Sequence, residues 1–354
     1  MNRRDLVTLR LRNQLLTRAG LRRPEDVVSW MGAVQAQEYE PARWGVGLRM
    51  RDATLDADVA RAFDAGRILR THVMRPTWHF VTPADIVWLQ KLTGAKVQRL
   101  SAPYNQRLGL DTPALVRGTA AIERALRDRQ YLTRGELGER LRDARMPLDG
   151  ARLAQLAMHA EAEAVICSGP RRGKQFTYAL VAERAPKSST LSRDEALATL
   201  TRRYLQSHGP ATVRDFVWWS GLSTAEARRG VEIARARPHQ CDALEYWTVG
   251  PESRAVSTDQ RVHLLPIYDE YTVAYRDRVA VPHGRGVITS PEGRTISFRH
   301  ALIVDGQIAG TWRTPSKSNP MSVEVVPLQP LAAANRRAQE QTVERYRRFI
   351  AADR

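Results

Sequence analysis

At 354 residues, 43% of them apolar, the chain is long enough for two or three domains with ample cores, and no apolar run approaches the ~18 residues of a bilayer span. Its two cysteines, Cys167 and Cys241, stand far apart and outside any Cys-x-x-Cys spacing, which argues against structural zinc and against a disulfide in a reducing compartment. The net charge of +17 is carried almost wholly by arginine and points to a polyanionic partner, most simply nucleic acid; a high-GC genome explains the excess of arginine over lysine but not the excess over acids.

Taken in order, Leu6, Leu9, Leu11, Leu15 and Leu16 predict an amphipathic opening helix. Pro24-Glu25-Asp26 puts proline and acids in the first turn of a second helix, whose apolar run is Val27 to Ala33. Next come Val34-Gln35-Ala36-Gln37 and a break at Glu38-Tyr39-Glu40-Pro41. In a helix, Gln35 and Gln37 would diverge by about 200°; in an extended segment they share one face. Pro41 predicts that the helix has ended, so the two amides converge. The alternative is a polar helix end that merely faces water.

Leu55 to Gly66 predicts a third helix, and Ile68–Met74 with Thr77–Val81 a hairpin turned at Arg75-Pro76. Thr82-Pro83-Ala84-Asp85 then caps a further helix. Three helices and a two-stranded wing make a winged-helix unit, and the pattern returns. Leu115–Leu126, a capping box at Thr133 to Glu136, and Ala151–Ala164 precede strands at Ile166–Ser168 and Phe176–Leu180. The wing tip between those strands is basic: Arg171, Arg172 and Lys174. A third round has capping boxes at Ser192 to Glu195 and Ser223 to Glu226, a helix opening at Thr212, and a wing strand at Leu244–Val249.

Beyond residue 260 the runs are short and β-prone: Val262–Leu265, Arg294–Phe298, Ala301–Val304 and Ile308–Trp312, with Asp305-Gly306 as a two-residue hairpin turn. A helix over Ala332–Ala351 closes the chain. The expected fold is α+β and mainly helical, with winged helices at 1–100, 101–185 and 186–258 and a β-barrel-like domain with the last helix at 259–354.

Four stretches in this order resemble the AlkZ/YcaQ winged-helix DNA glycosylases. They are Gln35-Ala36-Gln37; Arg75-Pro76-Thr77-Trp78-His79-Phe80-Val81; Leu265-Pro266-Ile267-Tyr268-Asp269-Glu270-Tyr271 with Tyr275-Arg276-Asp277-Arg278; and Val304-Asp305-Gly306 with Gly310-Thr311-Trp312-Arg313. The resemblance spans nearly the whole chain and carries the same fold. Its catalytic signature is Gln-x-Gln in the AlkZ branch and Gln-x-Asp in the YcaQ branch, and Gln35 and Gln37 match the first form. It implies a monofunctional glycosylase that excises alkylated purines, N7-alkylguanine above all, with unhooking of interstrand crosslinks in the AlkZ branch. N7 alkylation already makes the purine a good leaving group, so positioning a water at C1′ can replace strong base catalysis.

Other candidates follow from residue type and from the same resemblance. His79, Tyr268, Asp269 and Tyr271 are candidate pocket residues, each with a structural alternative: a hydrogen-bonded strand histidine, or a Tyr/Asp tie between barrel and helix. Arg75, Arg171, Arg172, Lys174, Arg276 and Arg278 are candidate DNA contacts, whereas Trp78, Trp218 and Trp219 are expected in the core. No Gly-rich phosphate loop or His/carboxylate cluster suggests a cofactor or metal. The expected partner is duplex DNA containing alkylated bases, met by a monomer without an obligate protein partner. Two rivals are a non-catalytic winged-helix transcriptional regulator, which leaves the Gln pair without a role, and a relative that binds damage without excising it.

Overall fold

A computed structural model describes residues 1–17, 20–51, 54–143, 148–250, 261–276, 299–315, 319 and 321–351. Helix α1 (Arg3–Asn13) starts on a reciprocal capping box between Asn2 and Asp5. Helix α2 (Pro24–Met31) carries Pro24 at its first position, buries Val27, Val28 and Met31, and stops at Gly32, whose φ of 80° suits glycine alone. A two-residue strand β1 (Val34–Gln35) leads into α3 (Tyr39–Gly47). Pro41 therefore lies in the first turn of α3, where its missing N–H costs nothing. It opens a helix, and the predicted break lies earlier, at Gly32.

After α4 (Asp56–Asp64), β2 (Leu69–His72) pairs antiparallel with β3 (Trp78–Val81), with Leu69 opposite Val81, and α5 (Ile86–Arg107) follows. Helix α6 (Thr112–Leu126) is capped by Asp111, which accepts the Ala114 N–H at 2.8 Å. Strand β4 (Leu132–Thr133), α7 (Arg134–Asp143), α8 (Gly150–Ala162), β5 (Ile166–Ser168), β6 (Thr177–Leu180) and the single turn α9 (Val181–Arg184) come next. Then follow α10 (Arg193–His208), α11 (Val213–Ser220), α12 (Thr224–Ile233) and the hairpin β7 (Arg237–Cys241) with β8 (Leu244–Thr248). The C-terminal part holds β9 (Val262–Leu265), the turn-length α13 (Glu270–Val273), β10 (Ala301–Val304), β11 (Gln307–Arg313), β12 (Glu324–Pro327) and α14 (Ala333–Ile350).

Three helices and then a hairpin recur in α6–α8 with β5–β6 and in α10–α12 with β7–β8. The first segment carries four helices before β2–β3, because α3 forms where a break was predicted. The predicted capping boxes at Thr133/Glu136, Ser192/Glu195 and Ser223/Glu226 all form.

Two compact units result: Met1–Ala60, Ala198–Trp219 and Ser223–Arg354 in one, Arg61–Leu197 and Ser220–Leu222 in the other. The core of the second gathers Leu115, Ile122 and Leu126 of α6, Leu137 of α7, and Leu153 and Leu156 of α8. These residues repeat every three or four positions, the stripe that faces a helix partner. A methyl on Gly118 would meet Leu156 Cδ2 at 2.2 Å, so α6 and α8 approach closely there.

In the first unit the strand order is β12-β11-β10-β9, all antiparallel. Among the described residues this sheet is open, in place of the expected barrel-like closure. A helix covers it: α14 lies on β9, with Tyr346 between Trp44 and Trp312 at ring separations of 5.1 and 4.9 Å, and Thr342 Oγ1 bonded to Val262 O at 3.2 Å. A helix covers a sheet edge as effectively as a further strand pairs it. The predicted strand at 294–298 lies outside the described residues. The turn between β10 and β11 has φ of 48° at Asp305 and 76° at Gly306, the positive pair that an Asp-Gly hairpin supplies.

Candidate active site

Gly32 ends α2; Val34–Gln35 form β1, and the chain bends at Gln37. Val34 and Ala36 are buried, with Ala36 wholly so, while Gln35 and Gln37 between and beyond them are half-buried. This alternation leaves both glutamines partly accessible while Val34 and Ala36 pack inward. The helix has ended before Gln35, the condition under which the two side chains can share one face.

The anchor of this segment was not foreseen. Glu270, 1% exposed, accepts the Gln35 backbone N–H on Oε1 at 2.7 Å. Its Oε2 accepts Trp219 Nε1–H at 2.9 Å and lies 3.3 Å from His208 Nε2. Burial lowers the pKa of His208, so its ring is neutral at pH 7. Three elements, α10, α11 and α13, thus meet the Gln segment through one carboxylate. The available sequence signal was an acid set among aromatics at a helix start, in Tyr268-Asp269-Glu270-Tyr271.

Asp269 sits beside it with a different task. Its carboxylate takes both Nη atoms of Arg49, at 2.7 and 2.8 Å, and caps α13 by accepting the Tyr271 N–H at 2.9 Å. Arg49 donates further to Gly45 O and to Gln14 Oε1. Burial disfavours its charge, but Asp269 outweighs that and raises the Arg49 pKa. Gln14 in turn donates to the Tyr275 hydroxyl, which donates to His208 O. Tyr271, 1% exposed, donates its hydroxyl to Gly306 O at 2.9 Å, and burial drives its pKa up. Tyr268 is half-buried with a φ of 61°. Asp269 and Tyr271 therefore tie helices and the β10–β11 turn together, while Tyr268 keeps part of its side chain accessible. Arg276 is exposed, its guanidinium 5.7 Å from the Trp218 ring centre. Trp218 is itself 41% exposed and not in the core as expected, whereas Trp219 is fully buried. Arg278 lies outside the described residues.

The second unit holds the other candidates. His79 is fully buried on β3; Nδ1 lies 2.9 Å from Thr77 O and Nε2 3.4 Å from Arg75 Nη2, which assigns the ring proton to Nδ1. A groove of about 480 Å³ opens nearby in the fold, lined by Arg70, Trp78, Arg134, Lys174, Phe176 and Tyr178 among others. Trp78, expected in the core, is half-buried at this groove, with Arg70 4.2 Å from its ring centre. Arg70 also lies 4.6 Å from the Phe176 ring, so its guanidinium is stacked between two aromatics. At the wing tip Arg172 pairs with Glu136 at 2.5 Å and Tyr131 O at 2.7 Å, and Arg171 Nη2 bonds Lys174 O at 2.9 Å. Lys174 is exposed on the groove wall.

Among the described residues no group of three His, Cys, Asp or Glu could hold a metal, and no helix is long and apolar enough to cross a membrane. The profile of the family described as DNA glycosylase AlkZ-like matches residues 28–349. The chain is 25% identical over 330 residues to a protein of Streptomyces sahachiroi named interstrand DNA cross-link repair glycosylase, covering 87% of each. Its fold is similar to the solved structure of Streptomyces sahachiroi DNA glycosylase AlkZ, with a TM-score of 0.81 at 21% identity over 99% of this chain and 97% of that one.

Proposed function

Because the chain belongs to the AlkZ-like DNA glycosylase family, we propose that it hydrolyses the N-glycosidic bond of alkylated purines in duplex DNA, N7-alkylguanine foremost, with a water held by Gln35 and Gln37. The observation that supports this reading is the burial alternation after Gly32, where Val34 and Ala36 are buried and the two glutamines are half-buried; we read the two amides as sharing one accessible face. A glutamine carbonyl accepts a hydrogen bond from water and its NH₂ donates to an oxygen, so two amides can fix one water in place and in orientation. Held in line with C1′, that water adds to the sugar as the C1′–N9 bond breaks; the base, cationic while bound, leaves neutral with the bond's electron pair, and one proton of the water passes to solvent. The sugar passes through an oxocarbenium-like state, and positioning alone can supply several kcal/mol of rate acceleration. Unalkylated purines are poor leaving groups, and a site without a strong base leaves them intact.

Gln37 is the better candidate for the water's main ligand, since the backbone of Gln35 is tethered to Glu270 and that of Gln37 follows the buried Ala36. Tyr268 is the member of its motif with side chain accessible to a lesion; Asp269 and Tyr271 act by holding the site's floor. His79 keeps β3 in register and orients Arg75. Lys174 and Arg134 at the groove, Arg75, and Arg276 beside Trp218 are the cations proposed to meet DNA phosphates. Arg171 and Arg172, already bonded to protein groups, contribute less. The helix–hairpin segments are proposed as winged helices lining the duplex, in the compartment that holds the chromosome.

The relative's name supports extending the substrate range to interstrand crosslinks. The test is incubation with duplex carrying N7-methylguanine, followed by quantification of free base. Release of base without strand cleavage supports the proposal; tight binding without release supports a damage-binding relative instead.

A further inference from the structure

Glu270 is 1% exposed, and its carboxylate faces the Gln segment directly. Its carboxylate reaches the chain at Gln35 N, one peptide from Ala36 and two from Gln37. Two N–H groups, from Gln35 and Trp219, each address a different oxygen of this carboxylate. Hydrogen bonds of that kind hold the group rigidly and offset part of what burial costs a carboxylate charge. The reaction proposed above builds positive charge on the sugar, yet neither residue of the Gln-x-Gln pair is an acid. A preorganised charge in a water-poor setting stabilises developing opposite charge without reorganisation.

We propose that Glu270 is the carboxylate of this glycosylase: bonded to the backbone of Gln35, it positions the Gln35–Gln37 segment and sets a buried negative charge against the cation that forms at C1′. Glu270 does not touch the water or the base; it acts through the segment it holds and through its field. Trp219 and His208 keep it in place, which gives these two buried rings of α11 and α10 a role in the reaction as well as in the core. The inference rests on the Gln35/Gln37 reading, and its test does not depend on turnover.

The test compares two duplexes that differ only at one sugar: a neutral tetrahydrofuran abasic analogue and a cationic pyrrolidine analogue that imitates the oxocarbenium charge. Wild type should bind the cationic duplex more tightly, by about tenfold or more at low salt, the scale of one charge acting across several ångströms of protein. Glu270→Gln retains the shape and a carbonyl acceptor for Gln35 N–H but loses the charge. It should bind the neutral duplex as wild type does and bring the ratio to within about twofold of unity. Trp219→Phe removes one donor and leaves the charge, so it reports what mere loosening does; it should retain the preference. Equal ratios in wild type and Glu270→Gln, or the same loss in Trp219→Phe, would overturn the inference. A wild type that releases no base but shows the Glu270-dependent preference would contradict the proposed excision and still support this charge.

Discussion

Replacing Asp269 by alanine should destabilise the first unit severely. The Arg49 guanidinium is 1% exposed on its side chain, as is its partner. Removal of the carboxylate strands that cation with only Gly45 O and Gln14 Oε1 as acceptors, neither of them an anion. Breaking one side of a buried ion pair costs about 3–5 kcal/mol. Asp269 also caps α13 at the Tyr271 N–H, and a lost cap adds about 1 kcal/mol. The expected loss is therefore about 4–6 kcal/mol, large against a total stability of about 5–15. The double replacement Arg49→Met with Asp269→Leu removes both charges and should recover most of it. Urea denaturation followed by tryptophan fluorescence reads the difference, since Trp44 and Trp312 sit in this unit's core. An Asp269→Ala loss below about 1 kcal/mol, accompanied by lost excision, would refute the reasoning and make Asp269 a pocket residue.

Three further outcomes follow from the same geometry. His300, whose Nδ1 accepts the Ile267 N–H at 3.1 Å, has its pKa pushed down to about 4 by burial. The folded value lies below the unfolded one, so the unfolded chain takes the proton first as pH falls; up to about 3 kcal/mol held above pH ~6.5 should be lost toward pH 4, and urea midpoints for His300→Gln should vary less over that window. Tyr271→Phe should cost about 1–3 kcal/mol in the same denaturation assay, because Gly306 O loses its buried donor. Lys174→Ala should lower the log–log salt slope of duplex binding by about 0.9, and Arg172→Ala by less because Glu136 already holds that guanidinium; equal effects would show that the Glu136 pair opens on binding.

Much of the scaffold was legible because it is written in local signals. Capping boxes, proline at a first helical position and Asp-Gly between β-prone runs each fix a few dihedrals with groups close in sequence, and they formed as read. Strands β4, β7 and β12 were missed because a two-residue ladder or a run such as Arg237-Pro238-His239-Gln240-Cys241 has little β character until a partner supplies its hydrogen bonds. Pro41 predicts a stop because proline disfavours helix in the residue before it; the first turn is the exception, and Gly32 carries the stop.

Charge was the least faithful guide at residue level. Arg10 adds to the net charge, yet it is fully buried, bonded to Pro210 O at 2.8 Å and stacked 3.8 Å from the Tyr275 ring centre. Arg49 is equally committed to Asp269. Sequence counts both as cations available to DNA, whereas burial makes them core residues. Glu270 was missed for the converse reason. A glutamate in a short polar–aromatic stretch reads as solvated, and only the long-range return of residue 270 to residue 35 reveals what it holds.

The central claim is tested by excision measured against binding in Gln37→Ala. With N7-methylguanine duplex at saturating enzyme, single-turnover base release should fall by about 10² or more, the scale of ~3 kcal/mol of lost positioning. The Kd for the same duplex should stay within about threefold, because phosphate contacts elsewhere set affinity. Base release at the wild-type rate by Gln37→Ala, with binding unchanged, would contradict the assignment and leave Gln35-Ala36-Gln37 as a polar segment beyond a helix end.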